Sequence, residues 1–171
     1  SPHYHPMSHG IALEGMRLVK DYLPRAFATA DDIEARANMM SAAMMGAVAF
    51  QKGLGAIHAL SHPLGAHYNT HHGTTNAVCT PAVLAFNRPA IEDRFERLAA
   101  YLGIAGGFEG FARYVEELDA TLGIPGRMKA LGVEDADIDR LVQDALRDPS
   151  TGGNPVPLTE DSVRELYLRV L

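Results

Sequence analysis

The sequence predicts an all-α fold, a multi-helix bundle formed as a single helical domain over residues 1–171. Apolar residues return at three- and four-residue spacing along nearly the whole chain, as one face of a helix requires. Period-two alternation bounded by turn residues is hard to find. At 171 residues, 47% hydrophobic and 21% charged, the composition is that of a globular chain long enough for one real core.

Ile11, Leu13, Met16, Leu18, Val19, Tyr22 and Leu23 predict a first helix closing near Pro24. Asp31, with Glu34 three residues on, reads as the N-cap pair of a second. That second helix carries Ile33, Met39, Met40, Met44, Met45, Val48 and Phe50. Its far half is apolar around most of its circumference, so it is expected to be the buried, central helix, with its methionines as core filler. Gly53 and Gly55 stop it ahead of a histidine-rich segment, and a helix is expected from about Thr74 to Phe86. Ile91, Phe95, Leu98 and Leu102 mark another, and Phe108, Phe111, Val115, Leu118 and Leu122 the next. Ile138, Leu141, Val142 and Leu146 follow, then Val163, Leu166, Tyr167 and Val170 behind Thr159 as cap. The stretch DPSTGGNPVP, residues 148 to 157, is too rich in Gly and Pro for regular structure.

Charge and composition exclude several function classes. A net charge of -6, a pI near 5.7 and no basic patch argue against nucleic acid or an anionic membrane surface as partner. The longest apolar run, MMSAAMMGAVAF from 39 to 50, is about half a bilayer span. Cys79 is the only cysteine, which excludes an internal disulfide framework and fits a reducing cytoplasm. No cationic n-region and apolar h-region open the chain, so export is not expected. It opens instead on SPHYHPMSHG, without an initiator Met, so a processed terminus or a fragment is expected.

Five of the eight histidines fall in GAIHALSHPLGAHYNTHHG, residues 55 to 73. His58 and His62 are four apart and share one helix face. Pro63 is expected to end the helix and Gly65 to let the chain reverse, which would bring His72 near His58. Neutral imidazole is the usual transition-metal ligand of proteins. A lone histidine is more often an ordinary core or surface residue; the i, i+4 pair followed by a third histidine after a Pro/Gly turn is what points to a metal. His67 and His71 lack that geometry and read as pocket-rim groups. His3, His5 and His9 are expected to be simply solvated near the terminus. GLG at 53–55 and GIAGG at 103–107 follow no predicted strand, so neither is a dinucleotide loop.

The segment GLGAIHALSHPLGAHYNTHHGTTNAVCTPAVLAFN closely resembles the signature of the iron-containing (group III) alcohol dehydrogenases, with its H-x3-H-P-L-G and a His-Gly ten residues after the second His. HPMSHGIALEGMRLV (5–19) and GGNPVPLTEDSVRELY (152–167) are similar to two further stretches of that family, in the family's order. The resemblance implies the helical C-terminal domain of such an enzyme. It implies His58 and His72 as ligands of Fe²⁺, with Zn²⁺ the other candidate. His62 would lie beside the nicotinamide of NAD or NADP and the substrate, aiding proton transfer or positioning. This differs from the spacing argument, which would make His58 and His62 the chelating pair. The family's other two ligands, an Asp and a His, and its nucleotide-binding α/β half belong before the residue matching Ser1. The resemblance therefore implies reversible hydride transfer between a primary alcohol and its aldehyde, in a homo-oligomer, by the intact enzyme; the chain alone is expected to be inactive. Phe50, His67 and Ser150 (with its neighbour Thr151) are the candidate substrate residues. A dehydroquinate-synthase-like lyase and a non-catalytic helical interaction module are the alternatives. The lyase would want basic residues to clamp a phosphate, and the histidine segment has none.

Overall fold

The computed structural model describes all 171 residues as seven α-helices with no strand. They are α1 (Pro6–Ala28), α2 (Ile33–Ala49), α3 (Ala56–Tyr68), α4 (His72–Tyr101), α5 (Gly107–Thr121), α6 (Ile138–Arg147) and α7 (Glu160–Val170). Short 3-10 turns lie at Phe50–Lys52, Met128–Leu131 and Thr151–Gly153. No helix is long and apolar enough to cross a membrane. The all-α expectation holds, and the chain divides into two compact units. The first comprises residues 1–2, 54–91 and 123–171, the second residues 3–53 and 92–122.

In the second unit, α1 and α2 are joined by a short loop and pack on each other through small residues: a Cβ added to Gly15 would meet the Met45 Cβ at 3.3 Å. His5 caps α1 through Nδ1, which accepts from the Ser8 N–H at 3.1 Å, so it is no merely solvated residue. His9 is not either: its Nε2 lies 2.6 Å from the Lys52 Nζ. Pro24 lies inside α1, which runs four residues past it. The cap of α2 is Asp32, not Asp31; its carboxylate accepts from the Ala35 N–H at 2.9 Å. The expectation of a buried central helix fails at α2. Only Ala35 and Ala42 are buried there, while Ile33 is 75% exposed and Met40 and Met44 70% each. Apolarity around a helix shows that it can be buried on all sides; it does not supply neighbours, and within this unit α2 packs chiefly on α1. Phe95, Phe108 and Phe111 form the aromatic core of the remainder, with ring centroids 5.0 to 5.9 Å apart.

The first unit holds the main core, where Leu60 and Leu64 of α3 meet Val78, Cys79 and Val83 of α4, Leu141 and Val142 of α6, and Val163, Leu166 and Tyr167 of α7. Burial pushes the Cys79 thiol up to about 12. The helices expected at 74–86 and around 91–102 are one: α4 runs through Pro81 and Pro89. Likewise α3 runs through Pro63. An interior proline costs about 3 kcal/mol through its missing N–H and its ring clash; here Pro63 is buried with Leu60 and Leu64, which offsets that cost. Close to the gap in the ladder, the buried Tyr167 hydroxyl donates to the Leu60 carbonyl at 3.0 Å. The chain reverses instead at Asn69, in the left-handed region at φ 53°. The turn is pinned by Thr75, whose hydroxyl donates to the His71 carbonyl and lies 2.8 Å from the Thr70 hydroxyl oxygen. The expected Thr159 cap of α7 is present and closes a capping box with Ser162.

Candidate metal centre

Helix α3 carries His58 and His62 on one face, and the Asn69 reversal starts α4 at His72, so three imidazoles meet. Their ring centroids are 5.5 Å (His58–His62), 5.3 Å (His58–His72) and 5.7 Å (His62–His72) apart. The Asn76 Nδ2, one turn along α4, lies 3.0 Å from the His72 Nε2 and 3.4 Å from the His58 Nε2. The Asn76 amide thus faces the Nε2 atoms of both rings, the two nitrogens that converge on one point. Burial holds His58 below the usual imidazole range, and repulsion from His62 and His72 adds to it, against the pull of Asp148. A depressed imidazole is a neutral base at neutral pH, as a ligand must be.

His62 is turned differently. Its Nδ1 lies 2.8 Å from the Asp148 Oδ2, and the carboxylate is only 11% exposed while the ring is 41% exposed. Although burial alone would raise it, the Asp148 carboxyl sits below its ordinary range, because the Ser150 N–H and the His62 ring both bond the charged form. No group of three His, Cys, Asp or Glu side chains is arranged to close on one ion. The chain thus offers two converging imidazole donors with a third ring alongside. The donor chemistry fits a divalent transition metal, and a further observation agrees: the Asn76 Oδ1, on the amide that touches both rings, is a buried acceptor without a hydrogen-bond partner.

The loop from 148 to 157 positions this cluster. The Asn154 Oδ1 accepts from the Ala56 N–H at 3.0 Å and the Asn87 Nδ2 at 2.9 Å, while its Nδ2 donates to the Asn87 Oδ1 and the Val156 carbonyl, each at 2.7 Å. A Cβ on Gly153 would collide with the Leu54 carbonyl, so the backbone approach that seats the loop against the start of α3 needs glycine.

The other expected site residues are spread more widely. Ser150 is buried beside the cluster, its N–H donating to the Asp148 Oδ1 at 2.7 Å. His67 projects from another side of α3 and its Nε2 lies 2.7 Å from the Asp144 Oδ2 on α6. His71 caps α4, its Nδ1 accepting from the Thr74 N–H. Phe50 belongs to the second unit, about half exposed at the end of α2. Asn76, Asp148 and Asn154 were missed by sequence reasoning. A faint signal existed for two of them: Asn76 is four residues after His72, and Asp144 and Asp148 repeat the i, i+4 spacing of the α3 histidines.

Fold and site together define an all-α domain built to present paired imidazoles. The profile of the Fe-containing alcohol dehydrogenase family, C-terminal part, matches residues 1–171, and the chain belongs to that family. It is 40% identical over 164 residues to a 4-hydroxybutyrate dehydrogenase of Cupriavidus necator, covering 91% of this chain and 43% of that protein. With an NAD-dependent methanol dehydrogenase of Bacillus methanolicus it shares 35% over 174 residues, 97% of this chain and 46% of that protein. A solved 1,3-propanediol oxidoreductase superposes with a TM-score of 0.94 at 28% identity, over 100% of this chain and 47% of that one. The chain therefore spans a little under half the length of these relatives.

Proposed function

We propose that this chain is the metal-holding half of an alcohol dehydrogenase that interconverts a primary alcohol and its aldehyde with a nicotinamide cofactor. The observation that carries the reading is the convergence of the His58 and His72 Nε2 atoms on one amide, with the His62 ring within 6 Å of both. His58 and His72 would hold the ion, Fe²⁺ first and Zn²⁺ second, and groups from outside these 171 residues would complete its shell. Such an ion, when bound, would supply Lewis-acid polarisation of a substrate oxygen, and a nicotinamide cofactor, NAD by the name of the methanol dehydrogenase relative, would supply the hydride acceptor. His62 has the chain's part in the proton step: its Nε2 accepts the proton the alcohol gives up and returns it in the reverse direction. Asp148 keeps that ring in place from behind, and Asn76 keeps the two ligand rings turned inward. Ser150, buried at the rim, and His67 remain the candidate substrate contacts. A reducing cytoplasm suits the reaction and the free, buried Cys79.

Two measurements test this. Calorimetry with Fe²⁺ or Zn²⁺ on the 171-residue chain should show only weak binding, since two imidazoles are half a site; submicromolar affinity would overturn the split site. In the longer protein, His58→Ala should lose both metal and turnover, whereas His62→Ala should lose turnover and keep the metal. Equal metal loss in the two variants reverses the roles.

A further inference from the structure

The three rings of the cluster are addressed through different nitrogens, and so are the two histidines of α3 that meet carboxylates. His62 faces Asp148 through Nδ1, and His67 faces Asp144 through Nε2. A carboxylate accepts and never donates when ionised, so in a neutral ring the nitrogen it touches carries the hydrogen and the other ring nitrogen the lone pair. The two pairs therefore demand opposite tautomers on one helix. At His62 the free lone pair is Nε2, the nitrogen that can take a proton from a substrate. At His67 it is Nδ1.

The arrangement at His62 is also directional on the carboxylate side. The Asp148 Oδ1 is occupied by the Ser150 N–H at 2.7 Å, and only Oδ2 reaches the ring, at 2.8 Å. Asp148 follows directly on α6 and its own N–H is spent on the Ala145 carbonyl. Neither the carboxylate nor the loop is free to swap its oxygens. We propose that Asp148 is a positioning residue which fixes His62 in the Nδ1–H tautomer, with the Ser150 backbone as the peg that decides which carboxylate oxygen faces the ring. The role of His62 in proton transfer belongs to the function proposed above; the tautomer itself can be read without it.

The experiment uses the 171-residue chain labelled with ¹⁵N in its imidazoles, with no metal or cofactor, at about pH 8.5, where an ordinary imidazole is neutral. Long-range ¹H–¹⁵N correlation identifies which ring nitrogen is protonated. The expected result is Nδ1–H for His62 and Nε2–H for His67. In Asp148→Asn the Ser150 N–H still claims the side-chain oxygen, so the new amide nitrogen faces the His62 Nδ1 and donates to it. His62 then crosses to Nε2–H while His67 stays as it was, the same inversion that an Asn causes beside the histidine of a serine-protease triad. Asp144→Asn should invert His67 alone. Asp148→Ala removes the acceptor without adding a donor and should leave His62 a mixture of both tautomers. Finding Nε2–H or a mixture at His62 in the unaltered chain overturns the proposal, as does an unchanged Nδ1–H in a folded Asp148→Asn or Asp148→Ala. In the active dehydrogenase, Asp148→Asn should lower kcat about a hundred-fold or more with metal content and KM nearly unchanged. If the tautomers behave as stated but the longer protein binds no metal, the dehydrogenase reading fails alone; a metal-loaded enzyme with the wrong tautomer sinks only the role of Asp148.

Discussion

Asn154→Ala should be among the most damaging single changes in the chain. Asn154 is 8% exposed and its partner Asn87 6%. Truncation removes four hydrogen bonds, two accepted by Oδ1 and two donated by Nδ2. At about 1 kcal/mol each, with the Ala56 N–H and the Asn87 amide left buried and unpaired, the loss comes to about 3 to 5 kcal/mol. Urea unfolding of the two chains followed by circular dichroism measures it, and Asn87→Ala completes a double-mutant cycle. Because the two amides share two of the four bonds, the double variant should be little less stable than Asn154→Ala alone. A loss below about 1 kcal/mol, or strict additivity of the two changes, would refute the view that this pair clamps the 148–157 loop to the start of α3.

Tyr167→Phe removes only the hydroxyl that reaches the Leu60 carbonyl and should cost about 1 kcal/mol by the same unfolding measurement, with no change in helix content. His9 supplies a pH dependence. Burial and the nearby Lys52, Arg94 and His5 charges hold its pKa below the ordinary 6.5, so the unfolded chain takes up a proton that the folded chain resists. Stability is therefore full above about pH 6.5 and declines as the pH falls below it. Unfolding free energies compared from about pH 7 down to about pH 5 should show a shallower decline in His9→Gln; identical slopes would exclude His9 as a contributor.

The helical periodicity was legible because every buried stripe, from Leu141, Val142 and Ala145 to Val163, Leu166, Tyr167 and Val170, obeys it. The boundaries misled where proline was read as a stop. Pro24 and Pro63 lie inside helices, as do Pro81 and Pro89, since packing of the surrounding turns outweighs one missing hydrogen bond. The prediction that His72 returns to His58 came out right by a different turn: Asn69, a residue that tolerates the left-handed region, reverses the chain rather than Gly65. The clustering of His58, His62 and His72 was readable from spacing and from the family resemblance. The contacts of Asp148 and Asn154 were not, because their partners lie 86 and 98 residues away; the i, i+4 spacing of Asp144 and Asp148 marks a face but names no partner at that separation. The exposure of α2 was hidden for the opposite reason, since composition records what a helix can bury and not what stands beside it.

Cys79 sits at 0% exposure on α4, in the core that α3, α6 and α7 share. With its thiol held so far above neutrality, it is protonated and walled off from alkylating reagents and peroxide while that core is intact. Labelling at this one sulfur can proceed only through opening events, so its rate under increasing reagent concentration serves as an internal clock for how often the helices beneath the histidine cluster come apart.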